Sequence, residues 1–268
     1  MSRIRDSRQI TIRGSQSPLT FATEGGELWK EWDRYLLLDG KKAYHIGNIC
    51  GTCSFFFERL GGANASVNPP QVIADLTKGL NSVTSSAVNQ IQKIIPDGSY
   101  IVSLNQAFIS LTVPGSTSDY FVKEQVELWG LDPFFGLPHY PKTEYYRSGM
   151  QTFSKTSCLF EFVIPMFPHS WLDKQRLQEM SSLLESGSEP TAIALSVLDV
   201  KQPADWTGDP TVTEHWCLAH YLIDGHHKAY AASQCNRPIT LLSFLALGEG
   251  VSSEKQKLTI VKMMKTQH

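Results

Sequence analysis

The clearest pattern of hydrophobic and polar positions lies beyond residue 157. SCLFEFV, residues 157 to 163, is a short apolar run that predicts a strand, and the two prolines of PMFP, Pro165 and Pro168, halt it. SWLDKQRLQEMSSLLESG then sets Leu177, Met180 and Leu184 on one helical face. Ser170, three positions before Asp173, reads as a capping pair, and Gly187 closes the helix where a left-handed residue is wanted. TAIALSVLDV, residues 191 to 200, is continuously apolar, as a strand buried on both faces would be. A second such run, Leu218 to Ile223, enters Asp224-Gly225, and the small residues Ala229, Ala231, Ala232 and Ser233 predict a short helix after it. Pro238 introduces ITLLSFLAL, a last strand. The predicted order is strand, helix, strand, strand, helix, strand.

The first 150 residues are harder to read. ELWKEWDRYLLLD, Glu27 to Asp39, predicts a strand stopped by the turn signal Asp39-Gly40. Gln71 to Ile95 carries Val72, Ile73, Leu76, Leu80, Val83, Val88 and Ile91 at helical spacing, opened by Pro69-Pro70, closed by Pro96 and weakened by Gly79. Tyr100 to Val113 and Tyr120 to Leu131 read as strands, and Asp132 to Tyr146 as a loop rich in Pro, Gly and Tyr. The expectation is an α+β protein with mixed sheets, divided into a mixed α+β region over 1–150 and a second region over 151–268.

Composition narrows the possible functions. With 41% hydrophobic and 19% charged residues and a formal net charge of -2, the chain reads as an ordinary globular protein without an extended surface for nucleic acid, although a local basic patch stays open. No apolar run approaches the roughly 20 residues of a membrane helix. MSRIRDSRQITIRG lacks the apolar centre of a secretory signal. The five cysteines, odd in number and scattered, argue against a disulfide framework and for a reducing cytoplasm.

The candidate chemistry concentrates in HYLIDGHHKAYAAS, residues 220 to 233. A helix beginning just after Asp224-Gly225 would aim free N–H groups and the positive end of its dipole at whatever lies over the turn. His226, His227 and Lys228 would add side-chain donors and up to three positive charges there, and Gly225 would let a ligand come close to the backbone. A phosphate group fits that description. Asp224 would hold magnesium at the phosphates or cap the helix. The plain alternative is an ordinary Asp-Gly turn with Asp224 as N-cap and solvated histidines.

Other residues offer further chemistry. Asp199 and Lys201 leave the end of the neighbouring strand, with Gln202-Pro203 after them, where ligands often bind in open sheets. Asp199 or Glu161 is a candidate general base. His215, Trp216 and Cys217, with Glu214 and His220 close by, could line the same pocket. In HIGNICGTC, residues 45 to 53, the spacing of Cys50 and Cys53 lets both thiolates reach one zinc, with His45 as a third ligand and Cys158, Cys217, His215 or His220 as a fourth. A redox dithiol and two plainly structural cysteines are the other readings of that motif.

Taken together, Pro165 to Pro168, Gly187, Pro190 and Asp224 to Lys228 resemble the punctuation of the ParB/sulfiredoxin-like superfamily over residues 157 to 248. The resemblance implies a C-terminal ParB/sulfiredoxin-like α/β domain that handles nucleotides. ParB proper commonly carries Gly-Glu-Arg-Arg where this chain has Gly225-His226-His227-Lys228. The roughly 20 residues after the last strand leave no room for the helix-turn-helix of the partition proteins. Members with Asp-Gly-His at this place look like small-molecule kinases, and sulfiredoxins use ATP. The implied cofactor is therefore ATP or another nucleotide with magnesium, and the implied partner a small-molecule substrate. Two functions follow: an enzyme of phosphoryl transfer or nucleotide hydrolysis, with His226, His227, Lys228 and Asp199 as its working residues, or a module that senses a nucleotide or holds a nucleic-acid phosphate without turnover.

Overall fold

The computed structural model describes residues 1–25, 30–65, 67, 73–84, 86–134, 136–204 and 213–266. In chain order the first elements are β1 (Arg3–Ile12), β2 (Leu19–Glu24), β3 (Asp33–Leu38), β4 (Lys41–Asn48), β5 (Glu58–Arg59), α1 (Ile73–Lys78), α2 (Ser86–Ile91), β6 (Gly98–Ala107), β7 (Ser110–Thr112) and α3 (Glu124–Trp129). They are followed by β8 (Tyr145–Ser154), β9 (Ser157–Ile164), α4 (Lys174–Glu185), β10 (Thr191–Lys201), β11 (Glu214–Asp224), α5 (His226–Cys235), β12 (Ile239–Ala246) and α6 (Glu254–Lys265). The class is α+β. A mixed eight-stranded sheet runs in the order β1-β6-β12-β10-β11-β9-β8-β7, and β2 to β5 form a second, antiparallel sheet.

Burial on both faces explains the continuous apolar runs of the central strands. Leu195 and Val197 of β10 join a core that holds Leu36 and Leu38 of β3, Tyr44 of β4, and Val88 and Ile91 of α2. On the opposite face Ala192 and Ala194 pack with Leu184 of α4 and with Ala229 and Ala231 of α5, while Leu198 packs with Ile260 and Met264 of α6. The large sheet is thus the middle of three layers. β10 is parallel to β12 and β11 to β9, while the antiparallel pairing of β10 with β11 brings the start of β10 and the end of β11 to one end of the sheet, where Ile193 faces Asp224.

All six elements predicted beyond residue 157 form. Asp173, whose side chain accepts from the Arg176 N–H at 2.8 Å, caps α4 in place of the expected Ser170. Several expectations for the first half fail. Over the described part of Gln71 to Ile95 the long helix is broken, because Gly79 has φ +93° and a Cβ there would meet the Glu189 carbonyl oxygen at 2.3 Å; Pro69, Pro70, Gln71 and Val72 lie outside the described residues. Glu124–Trp129, part of the predicted strand from Tyr120, is the helix α3, and Tyr100 to Val113 divides into β6 and β7. The strand read from Glu27 begins at Asp33, with Glu27 to Trp29 outside the described residues. The boundary near residue 150 falls inside β8, and strands from both sides of it share the large sheet. No described helix is long and apolar enough to cross a membrane.

A buried ion pair joins the two sheets. The Arg34 Nη2 on β3 donates to Asp199 Oδ2 on β10 at 2.5 Å, with both side chains below a tenth exposed. Arg34 also donates to the carbonyls of Ile46 and Asn48, and Asp199 Oδ1 accepts from the Val251 N–H at 2.7 Å. Removing one partner strands the other charge, so Arg34→Met is expected to lower the unfolding free energy by about 3–5 kcal/mol. Adding Asp199→Asn, which removes the stranded charge and keeps an acceptor for Val251, should restore part of that loss in urea denaturation.

Candidate functional site

The site grows from the end of β11. Gly225 follows Asp224 with φ +97°, and a Cβ there would lie 2.4 Å from the Ala192 Cβ. Close approach of β10 therefore demands the glycine, rather than the approach of a ligand. α5 begins at once, and its first helical hydrogen bond runs from the Ala229 N–H to the Gly225 carbonyl at 2.8 Å. The N–H groups of His226, His227 and Lys228 precede that bond.

The three side chains turn inward, which corrects the expectation of solvent-facing cationic donors. His226 is 7% exposed, its Nε2 accepts from the Met166 N–H at 2.9 Å, and its ring stacks on Phe167 with centroids 4.0 Å apart. Burial pulls its pKa down to about 4, so the ring is neutral and carries its proton on Nδ1. His227 Nε2 accepts from the Asp173 N–H at 3.0 Å, and burial lowers this histidine as well. Lys228 donates to the Thr191 carbonyl at 2.8 Å and faces Asp224 Oδ2 at 3.3 Å. Asp224 makes no capping bond, so the plain N-cap alternative fails too.

These contacts seat Met166 to Asp173 on the head of α5. Between this segment, α4 and the residues Ala65, Val67 and Thr77 opens a groove of about 1260 Å³, lined by Phe167, Arg176, Glu179 and residues Asp224 to Lys228 among others. Arg176 is exposed on the first turn of α4 and contributes a cation to the lining of the same groove. Sequence reasoning missed Phe167 and Arg176. The signal was present in the proximity of the Pro165–Pro168 segment to a helix start, but only the tertiary fold shows that the two histidines hold that segment.

The other predicted residues lie elsewhere. Asp199 sits six residues along β10 from Ile193, about 20 Å from Asp224 at the strand rise. Engaged with Arg34, it is no general base for the groove. Glu161 is sealed in the large sheet: its carboxylate accepts from the Ser2 N–H and hydroxyl and from the Ser148 hydroxyl, and faces His220 Nε2 at 3.1 Å. Burial opposes its ionisation, but His220 and the two hydroxyls outweigh that and hold its pKa down to about 2. His220 Nδ1 in turn meets the Ser196 hydroxyl at 2.7 Å.

The zinc set does not assemble. Cys50 and Cys53 are joined in a disulfide, against the expectation of free thiols, and His45 Nε2 bonds Asp33 Oδ1 at 3.0 Å while stacking on Tyr35. Cys158 is half-buried, with its sulfur 3.4 Å from the Thr152 hydroxyl. His215 takes the Tyr120 hydroxyl on Nδ1 at 2.9 Å and is pulled down to about 4 by burial, and Cys217 is buried beside the same hydroxyl. Glu214 accepts from the Ser157 hydroxyl and from the Trp216 indole. Among the described residues no group of three His, Cys, Asp or Glu side chains is placed to hold a metal ion. Lys201 is 1% exposed and donates to the Cys50 carbonyl at 2.5 Å and to Asn48; burial lowers its pKa to about 8.

Comparison with known proteins finds no matching family model, curated protein or solved structure.

The buried histidine has a measurable consequence. An unfolded histidine takes up its proton near pH 6.5, whereas His226 does so only near 4. The unfolded chain binds the extra proton between those values, so stability falls as pH drops from about 6.5 to about 4. His226→Gln should reduce that fall in denaturation curves taken at several pH values, leaving the part that His215 contributes. His226→Ala, which leaves the Met166 N–H unpaired, should cost about 1–3 kcal/mol at pH 7.

Proposed function

We propose that this chain binds the phosphate end of a nucleotide in the groove at the head of α5, with magnesium carried in by the phosphates. The observation that supports the reading is the groove itself, large enough for a nucleotide and floored by the first turn of a ten-residue helix. Three N–H groups ahead of the helical ladder and the Arg176 guanidinium offer donors to a phosphate there, beside the Asp224 and Glu179 carboxylates that also line the groove. Met166, Phe167 and Ile223 line an apolar part of the groove suited to a planar base. Asp224 offers one carboxylate oxygen for a divalent ion that the phosphates would otherwise ligate. The likeness of residues 157 to 248 to ParB/sulfiredoxin-like proteins points to the same ligand class.

Binding without turnover is the better of the two roles. Neither carboxylate considered as a base reaches the groove, since Asp199 is about 20 Å away and Glu161 is enclosed in the sheet. His226 and His227 commit their Nε2 atoms to the Met166 and Asp173 N–H groups, so neither nitrogen is free to serve as the base. Phosphoryl transfer to a small molecule, or nucleotide hydrolysis, would require a base that these residues do not bring there.

Thermal unfolding against nucleoside di- and triphosphates with magnesium tests this reading. A nucleotide at about a hundred times its dissociation constant should stabilise the fold by roughly 2.7 kcal/mol, a rise of about 5–10 °C. Arg176→Ala, an exposed change, should reduce the rise at fixed ligand concentration without altering the unliganded midpoint. No rise with any nucleotide, or a rise indifferent to Arg176, would defeat the proposal.

A further inference from the structure

The Cys50–Cys53 disulfide lies at the other end of the sheet and owes nothing to the groove. As a staple it is weak: the ring it closes spans only Gly51 and Thr52, and constraint of the unfolded chain grows with loop length. The loop is already held by bonds that leave the sulfurs out. The Cys50 N–H donates to Asn48 Oδ1 at 3.1 Å, the Cys50 carbonyl accepts from Lys201 Nζ, the Gly51 carbonyl from the Gln202 N–H at 3.0 Å, and the Thr52 carbonyl from the Trp129 indole at 3.4 Å. Opening the disulfide would leave both sulfurs within reach of one another.

The surroundings of the two sulfurs differ. The exposed Thr52 hydroxyl is 3.4 Å from Cys50 Sγ, placed to donate a hydrogen bond to it. The Lys201 ammonium rests on the carbonyl of Cys50 itself. The charged side chains that act on Lys201 are Asp199 and Arg34, themselves joined in an ion pair. A hydroxyl donor and a nearby cation both favour a thiolate over a thiol. Both cysteines are half-buried, so the sulfurs are not sealed from solvent.

We propose that Cys50 and Cys53 form a reversible thiol–disulfide exchange site whose partners are dithiols and disulfides, with Cys50 as the attacking sulfur. In the reduced form the Cys50 thiolate attacks a partner disulfide, one partner sulfur leaves as a thiolate, and a mixed disulfide forms on Cys50. Cys53 then gives up its proton and attacks Cys50 Sγ, the second partner sulfur leaves, and Cys50–Cys53 is restored. Two electrons pass to the partner, which becomes a dithiol once its two thiolates are protonated. The reverse sequence oxidises a partner dithiol.

Mass spectrometry after alkylation of the full-length folded protein, equilibrated in buffers of reduced and oxidised dithiothreitol, tests the exchange. Cys50 and Cys53 should gain and lose label together, reversibly, with no change in circular dichroism. In Cys53→Ser, Cys50 should react with iodoacetamide with a midpoint below the pH of about 8.5 of an ordinary thiol, and roughly ten times faster than such a thiol at pH 7. Adding Lys201→Met should raise that midpoint, and adding Thr52→Val, a surface change that spares the fold, should do the same. Reduction only in denaturant, or a Cys50 midpoint at or above about 8.5 that Thr52→Val leaves unmoved, would overturn the proposal.

Discussion

Two hydrogen bonds in which an imidazole nitrogen accepts a backbone N–H shape the described groove. The Nε2 atoms of His226 and His227 hold Met166 and Asp173 over the start of α5, and without them the proline-rich segment after β9 would have no polar anchor on that helix. Each bond requires a neutral ring, and burial of His226 ensures it. Lys228 completes the arrangement from below by tying α5 to the first residue of β10 and to Asp224. Three residues that look like a cluster of cations are thus one structural joint.

The large sheet separates two kinds of polar chemistry. At the Asp224 end a groove opens between helices. At the Asp199 end the Arg34–Asp199 pair, Lys201 and the Cys50–Cys53 loop lock the small sheet onto the large one. Between them Glu161, His220, Ser196 and Ser243 form a buried chain of hydrogen bonds across β9, β11, β10 and β12. This chain lies between the apolar cluster under α4 and α5 and the cluster under α6. Its members satisfy one another, which is what lets polar residues sit at the middle of strands that otherwise read as apolar.

Legibility in the sequence followed the strength of the periodic signal. TAIALSVLDV read as a strand buried on both faces and ITLLSFLAL as a last strand, and α4 announced itself by Leu177, Met180 and Leu184; these elements formed where they were read. The first half depends on contacts that are distant in sequence: Gly79 is set by the Glu189 backbone, and β1 and β6 pair through a register that no local pattern specifies. The sequence drew attention to Asp224 to Lys228, which line the groove, but the direction of their side chains was not legible, because the Met166 and Asp173 N–H groups that claim the histidines lie 54 to 60 residues away. Asp199 lies far from the groove for a related reason, since the antiparallel pairing puts the C-terminal ends of β10 and β11 on opposite sides of the sheet.

Nitrogen and proton NMR of the His226 ring, recorded from pH 5 to 8 with and without a magnesium nucleotide, tests the joint most directly. The account predicts a neutral ring protonated on Nδ1 throughout and unchanged by the ligand, while the backbone amides of His226, His227 and Lys228 shift on binding. A ring that titrates near 6.5, or that changes its protonated nitrogen when the nucleotide binds, would show that His226 works on the ligand instead of holding the wall, and would contradict the account.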